Sequence, residues 1–170
     1  MEAETPGRTG RASLVLEEAW QAESIRDEIE LFAFIRGPEE TFAPNLVVTV
    51  NPFGGNIDEF LDHAVHGLTT SLQKPYLFDV RVWDRHPSSN GTDPYQPIDD
   101  VDVRQMSRTI GYTHESPQTG ATLRSTEWLF IESGLAVQVT GTTTTAQWPV
   151  FSRTLETMAR SVATTTEGAK

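Results

Sequence analysis

The sequence of 170 residues contains no cysteine. Disulfide bridges, thiol nucleophiles and thiolate metal sites are therefore excluded. Basic residues are also scarce, because 13 lysines and arginines stand against 24 aspartates and glutamates, which gives a net charge of −11. A field of that sign repels nucleic-acid phosphates and anionic membrane surfaces on average. The composition therefore argues against nucleic acid and membrane as partners and leaves a protein partner open.

Long hydrophobic runs are absent as well. No segment stays apolar over the roughly 20 residues that a membrane-spanning helix needs. The polar residues 1–12 lack the apolar stretch of a secretory signal, so we expect a cytoplasmic protein. The 8 phenylalanines, 4 tryptophans and 3 tyrosines supply bulky material for a core. We expect a disordered lead over residues 1–12, a single domain over residues 13–162 and a flexible tail over residues 163–170.

Hydrophobic periodicity predicts two amphipathic helices among short strands. The first helix begins after Asn56, a good N-cap with Glu59 three residues later, and its apolar stripe continues to Leu72. The second covers residues 146–162, with Pro149 tolerated in its first turn. Strands are predicted over residues 28–36, 45–51, 78–84, 103–112, 123–131 and 135–142. Short turns between neighbours indicate an α+β fold, with a central antiparallel sheet of about six strands and helices packed on it.

Two groups of residues have side chains that can bind metals, but neither group shows the full pattern of a metal site. His63 and His66 stand three apart on the first predicted helix, a spacing that can place two imidazoles on one metal. A helical wheel puts both opposite the apolar stripe, so an ordinary solvated helix face explains them. Asp99, Asp100 and Asp102 offer oxygen ligands, but they lack the glycine and terminal glutamate of a calcium-binding loop. We expect no bound metal and no other cofactor.

Catalytic signatures are missing. His86 and His114 have the chemistry of general bases near neutral pH. No nucleophile elbow, phosphate-binding glycine loop or dinucleotide fingerprint accompanies them. The sequence therefore favours a binding domain over an enzyme.

Two aromatic residues and a threonine ladder have both a structural and a binding interpretation. Trp83 and Trp128 fall on predicted strands, where exposed side chains would anchor a partner and buried ones would join the core. A sheet covered on both sides favours the core. The ladder of Thr140, Thr142 and Thr144 is typical of a groove surface, but the β propensity of threonine also explains it.

Two segments resemble a known superfamily. Residues 42–50 (Phe-Ala-Pro-Asn-Leu-Val-Val-Thr-Val) lead into an amphipathic helix, and residues 135–141 (Leu-Ala-Val-Gln-Val-Thr-Gly) lead to a closing helix with Phe151 and Ser161. Over residues 14–162 these features are similar to the Mog/PsbP-like superfamily, in particular to its small actinobacterial, LpqN-like members. The resemblance implies an α-β-α sandwich around a central antiparallel sheet. It also implies a non-enzymatic role, since the nuclear Mog protein binds the Ran GTPase and PsbP is an extrinsic photosystem subunit.

We expect a binding or accessory domain that engages a protein partner. The expected contact surface is the long loop over residues 85–100, which is rich in proline, serine and aspartate. Its candidate binding residues are Tyr95, His86, Asp99 and Asp100. Aromatic anchors with a polar rim are typical of such surfaces.

The alternative is a carrier or enzyme that holds an apolar small molecule between the sheet and the closing helix. It requires an internal cavity of about 300 Å³ or more. The expected lining residues are Trp128, Phe130 and Trp148.

Overall fold

The computed structural model describes residues 4–38, 41–85 and 107–165. Within those ranges the chain forms ten strands and two helices. The strands before the first helix are β1 (Glu4–Pro6), β2 (Ala12–Val15), β3 (Gln21–Glu23), β4 (Leu31–Phe34) and β5 (Asn45–Pro52). Helix α1 (Ile57–Ser71) is followed by β6 (Gln73–Trp83), β7 (Ser107–Glu115), β8 (Thr122–Glu132) and β9 (Leu135–Thr144). Helix α2 (Trp148–Ser161) and β10 (Ala163–Thr164) come last.

Seven of these strands form one antiparallel sheet in the order β3-β4-β5-β9-β8-β7-β6. The predicted α+β class with an antiparallel sheet is therefore confirmed, although the described sheet has seven strands where the sequence predicts six. The strand that the sequence does not reveal is β3, whose three residues are all exposed and show no hydrophobic alternation. Strands β3 and β6 form the two edges of the described sheet.

Helix α1 begins at a capping box, as the sequence predicts. The Asn56 side chain accepts hydrogen bonds from the backbone nitrogens of Asp58 and Glu59 at 3.0 and 3.1 Å, and Glu59 accepts one from the Asn56 nitrogen at 3.3 Å. The helix packs on one side of the sheet, which we call the α1 face. Its core cluster contains Ile57, Ala64 and Leu68 of the helix and Ile110, Tyr112 and Leu129 of the sheet.

Helix α2 packs into a second and larger core cluster, on the side that we call the α2 face. Its residues Leu155, Met158 and Ala159 are fully buried, as is Val162, which caps its C-terminal end. Trp83 and Trp128 are also buried in this cluster, with ring centroids 6.2 Å apart, so the prediction that they belong to the core is confirmed. The adjacent β8 residues Leu129 and Phe130 belong to different clusters, because successive side chains of a strand point to opposite faces.

A second, small sheet joins the two ends of the described chain, in the antiparallel order β1-β2-β10. The lead expected to be disordered therefore contains β1, and the segment expected to be a flexible tail contains β10. The buried carboxylate of Glu30 holds the turn between β1 and β2, since it accepts hydrogen bonds from Thr9 N, Thr9 Oγ1 and Arg11 N at 3.0, 2.7 and 3.1 Å. Such polar contacts leave no hydrophobic pattern, which is why the sequence predicts disorder there. Neither described helix has the length and hydropathy needed to cross a membrane.

Candidate functional site

A cleft of about 280 Å³ opens between helix α2 and strands β6, β7 and β8, on the α2 face. Aromatic and charged side chains share its lining. They include Phe78, Trp128 and Trp148 together with Arg81, Arg124 and Arg153. A cleft of this composition combines a surface for apolar contact with donors for an anionic group.

The guanidinium group of Arg124 is stacked between two aromatic rings of the cleft. Its Cζ atom lies 4.5 Å from the centre of the Trp148 ring and 4.9 Å from that of the Phe78 ring, within the range of cation–π attraction. The Nε atom of Arg124 is buried and has no hydrogen-bond partner among the described residues. No carboxylate in the described part of the chain forms an ion pair with this side chain. The cation is therefore held in place without a counter-ion among those residues.

The carboxylates that line the cleft already have basic partners. Asp79 lies 3.4 Å from Arg81, and Glu156 lies 2.6 Å from Arg160. Arg153 is exposed and, among the residues described, has no ion pair. Among the described residues, the cleft thus presents positive charge without an ion-pair partner, on a protein whose net charge is −11. Such a local reversal of sign favours an anionic group of a ligand or partner.

Strand β6 borders the cleft and exposes large apolar side chains. Tyr76 is 68% exposed and Phe78 is 43% exposed, while Val80 and Val82 are about half exposed. The Phe78 ring lies over Gly111 of β7, where an added Cβ atom would come within 2.8 Å of Phe78 Cε2. In the described sheet, β6 pairs on one side only. An edge strand with exposed apolar side chains is a common site of protein contact.

A buried acid lies on the other side of the sheet, in the α1 face. Glu127 is 2% exposed, and its Oε1 atom accepts a 3.1 Å hydrogen bond from Tyr112 Oη. Burial raises the pKa of Glu127 to about 7, against smaller opposing effects of Tyr112 and Gln138, which stabilise the charged carboxylate. Burial and the charge of Glu127 also raise the pKa of Tyr112. With this pKa, the buried Glu127 side chain changes between its neutral and charged forms near neutral pH.

His114 lies next to Tyr112, with ring centroids 5.7 Å apart, and continues a row of polar side chains on the α1 face. Its Nε2 atom lies 3.4 Å from Ser125 Oγ, which lies 2.9 Å from Thr142 Oγ1, and burial lowers the pKa of His114. A histidine beside a serine has the composition of a base and nucleophile. Ser125 is fully buried, however, so its hydroxyl is closed to a substrate in this conformation. The threonine ladder is half-buried on this face, and it joins the row through Thr142.

The sequence-predicted binding residues His86, Tyr95, Asp99 and Asp100 lie outside the described residues. So does the rest of the expected contact loop except Arg85. This loop as a contact surface stays a prediction.

The two helical histidines, His63 and His66, are exposed on α1 and belong to neither core cluster. His63 differs from the helical-wheel prediction in part, because it also borders a cavity between α1 and the sheet. Within residues 4–38, 41–85 and 107–165, no three His, Asp or Glu side chains come together in a way that would hold a metal ion.

The cleft beside α2 occupies the place expected for an apolar ligand, but its chemistry differs. Trp128 and Trp148 line it as predicted. Phe130 is buried, with the guanidinium of Arg85 stacked 3.9 Å above its ring. The three arginines make the cleft charged, and desolvating them against a wholly apolar molecule would cost free energy.

Sequence reasoning missed both Arg124 and Glu127, which lie on a strand that it does predict. Period-two alternation places Glu127 on the same strand face as Leu129 and Ile131, and a glutamate among apolar neighbours is a signal of a buried acid. Arg124 shares the opposite face with Trp128. Its aromatic neighbours come from other elements, so no local pattern reveals its stacking.

No protein-family model matches the sequence, and no curated protein matches it either. Solved structures are similar to it. The PsbP protein of the cyanobacterium Synechocystis sp. PCC 6803 (CyanoP) superposes with a TM-score of 0.60 and 9% identity, covering 96% of this chain and 92% of that one. LpqN of Mycobacterium tuberculosis, which is involved in cell envelope biogenesis, gives a TM-score of 0.61 and 10% identity, covering 91% of this chain and 83% of its own.

The Ran-binding protein Mog1p of Saccharomyces cerevisiae gives a TM-score of 0.58 and 11% identity, covering 95% of this chain and 94% of its own. All three similarities extend over nearly the whole of both chains. At these identities what is shared is the fold, and function needs separate evidence. The resemblance stated from the sequence is confirmed: the chain has the Mog/PsbP-like fold.

Proposed function

We propose that this protein is a non-enzymatic accessory domain that binds a protein partner through the cleft beside α2 and the edge strand β6. The observation that carries the proposal is the Arg124 guanidinium, which is held between Phe78 and Trp148 and has no ion pair within the described ranges. Tyrosine, tryptophan and arginine dominate binding energy at protein interfaces. Tyr76 adds an exposed aromatic ring on the same strand as Phe78.

The partner is expected to present an acidic side chain beside apolar ones. A carboxylate accepts two parallel hydrogen bonds from a planar guanidinium. The rings on either side of Arg124 restrict the plane of its guanidinium, so less side-chain entropy is lost on binding. Arg153 supplies a second positive charge in the cleft. Apolar side chains of the partner would cover Tyr76 and Phe78.

The architecture and one precedent support this proposal. We infer an α-β-α sandwich. The adjacent residues Leu129 and Phe130 belong to separate core clusters, and each cluster contains residues of one helix. Such a scaffold holds its surface residues on regular elements, which favours a preformed binding site. Mog1p, which shares the fold, is a Ran-binding protein. The cysteine-free composition suits a reducing compartment, and we propose that the domain acts in the cytoplasm.

Affinity capture from cells tests the proposal with a matched pair of arginines. Arg124→Gln removes one positive charge from the cleft. Arg26→Gln removes the same charge from an exposed position between β3 and β4, at the opposite edge of the sheet. We expect mass spectrometry to find one or more proteins retained by the wild type and by R26Q but lost with R124Q. Equal retention by all three would rule out the cleft as the binding site.

A further inference from the structure

A second cavity, of about 240 Å³, lies between helix α1 and the sheet. Phe60, Ala64 and Leu68 of the helix form apolar walls, and Glu127 and Gln138 of the sheet form a polar end. We propose that this cavity binds a small organic amine, with the ammonium group paired to the Glu127 carboxylate and the hydrocarbon part against the helix. This site is separate from the cleft beside α2, since the two lie on opposite faces of the sheet and share no lining residue.

The two oxygens of the Glu127 carboxylate have different surroundings. Oε1 accepts the 3.1 Å hydrogen bond from Tyr112, whereas Oε2 is buried and has no hydrogen-bond partner in the described chain. Gln138 stabilises the charged form of Glu127. Its side chain forms no hydrogen bond to Oε2 in the described chain. Leaving a buried oxygen unpaired costs free energy. An ammonium group would supply both a donor and the opposite charge, which is why the ligand is expected to be a cation.

Few other charges face this carboxylate. On α1, His63 lines the cavity. On the same face of β7 lie Tyr112, which burial keeps neutral, His114, and Arg108, which is paired with Asp58 of α1. On β9 the residues beside Glu127 are the uncharged Gln138 and Thr140. No lysine or arginine is among the described residues that line the cavity. Among these lining residues, no lysine or arginine side chain therefore competes with an incoming amine for Oε2.

Gly67 leaves one side of the cavity open. It lines the cavity from α1, and a Cβ atom added to it would meet no atom within 4 Å. A leucine at this position would extend into free space and would raise the helix propensity. Gly67→Leu is therefore expected to fill the cavity while the fold is kept. Thr69 is exposed half a turn away and does not line the cavity, so Thr69→Leu is the matched control.

The test is a titration of the full chain with n-hexylamine, followed by ¹H–¹⁵N NMR. We expect saturable shifts of residues in α1, β8 and β9 for the wild type and for T69L. Affinity should fall about tenfold or more in E127Q and G67L, because a charge-assisted hydrogen bond and the space for the chain are lost. The anion of matched length, n-hexanoate, should not bind. No saturable shift in the wild type, or undiminished affinity in E127Q, would overturn the proposal.

The pH dependence distinguishes an ion pair from apolar adsorption. An alkylamine stays charged between pH 6 and 8, as lysine does, while burial gives Glu127 a pKa of about 7. The affinity for n-hexylamine should therefore rise by about tenfold over this interval. His63 also lines the cavity, so His63→Asn is titrated in parallel. The proposal requires the rise to persist in H63N, and an affinity independent of pH contradicts it.

Discussion

The guanidinium carbon of Arg124 lies 4.5 Å from the centre of the Trp148 ring. This contact joins strand β8 to the first turn of helix α2, and Phe78 of the edge strand β6 closes the stack from the other side. Three elements that are distant in sequence thus contribute one side chain each to a single stack. Its charge, which has no ion-pair partner in the described part of the chain, and its position beside an exposed edge strand make it the centre of the binding surface that we propose.

Arg124→Met should separate the binding role of this arginine from its structural role. Methionine keeps much of the hydrocarbon stem and removes the charge. Cation–π contacts at partly exposed sites contribute about 0.5–1 kcal/mol each, so the free energy of unfolding should fall by at most about 2 kcal/mol. Affinity for the captured partner should fall about tenfold or more, as for an interface hot spot. Urea denaturation and calorimetric titration measure the two effects, and normal affinity in a destabilised variant would contradict this role.

Gly111→Ala should act on binding through Phe78. The added methyl group would come within 2.8 Å of the Phe78 ring, so the ring must move away from its position beside Arg124. We expect partner affinity to fall several-fold. In a Phe78→Ala background the same substitution should cause no further loss, because the ring that it displaces is gone. A double-mutant cycle measures this coupling, and an equal loss in both backgrounds would show that Gly111 acts by another route.

Glu127→Gln should change the pH dependence of stability. Burial raises the pKa of Glu127 from 4.5 to about 7. The unfolded chain therefore releases this proton at a lower pH than the folded protein does. The contribution of the group to stability is complete below pH 4.5 and declines as the pH rises to about 7, by about 3 kcal/mol in total.

The uncharged glutamine avoids that decline. We expect the stability of E127Q relative to the wild type to increase steadily between pH 4.5 and 7 and to level off above that range. Chemical denaturation at pH 5, 6, 7 and 8 measures the difference. A difference that does not vary with pH would mean that Glu127 titrates in the folded protein as it does in the unfolded chain.

Glu30→Ala should loosen the N-terminal strands. The variant loses the acceptor of three hydrogen bonds that hold the turn between β1 and β2. We expect the free energy of unfolding to fall by about 2–3 kcal/mol, the range for bonds to a charged group. Amide hydrogen exchange should accelerate in β1 and β2 and stay slow in β7 and β8. Glu18→Ala, at an exposed position, is the control and should leave the exchange unchanged, whereas unchanged exchange in Glu30→Ala would refute the anchoring role.

The elements that the sequence predicts well are those in which side-chain patterns and local signals agree. Helix α1 has both a capping box and an apolar stripe, and its observed bounds, Ile57–Ser71, follow the prediction closely. Strand β5 is similarly marked by its β-branched run. Strands β1 and β3 escape prediction because they are short and backbone pairing holds them, and such pairing leaves no hydrophobic side-chain pattern in the sequence.

The candidate site was less predictable for a related reason. The role of Arg124 depends on rings that strand β6 and helix α2 bring to it, and this proximity is a property of the tertiary structure. Alternation can indicate that Glu127 is buried, but it cannot show which carboxylate oxygen lacks a donor. The composition alone predicts the loop with Tyr95 as a contact surface, and its role stays a prediction.

Photo-crosslinking from position 76 tests the proposed binding surface most directly. Tyr76 is 68% exposed on the edge strand β6, so p-benzoylphenylalanine in its place keeps an aromatic ring at the border of the cleft. Ala22, exposed on the opposite edge strand β3, is the control position. We predict that the partner retained in affinity capture crosslinks to position 76 and not to position 22. A partner that is still captured but crosslinks only from position 22 would contradict the proposed surface.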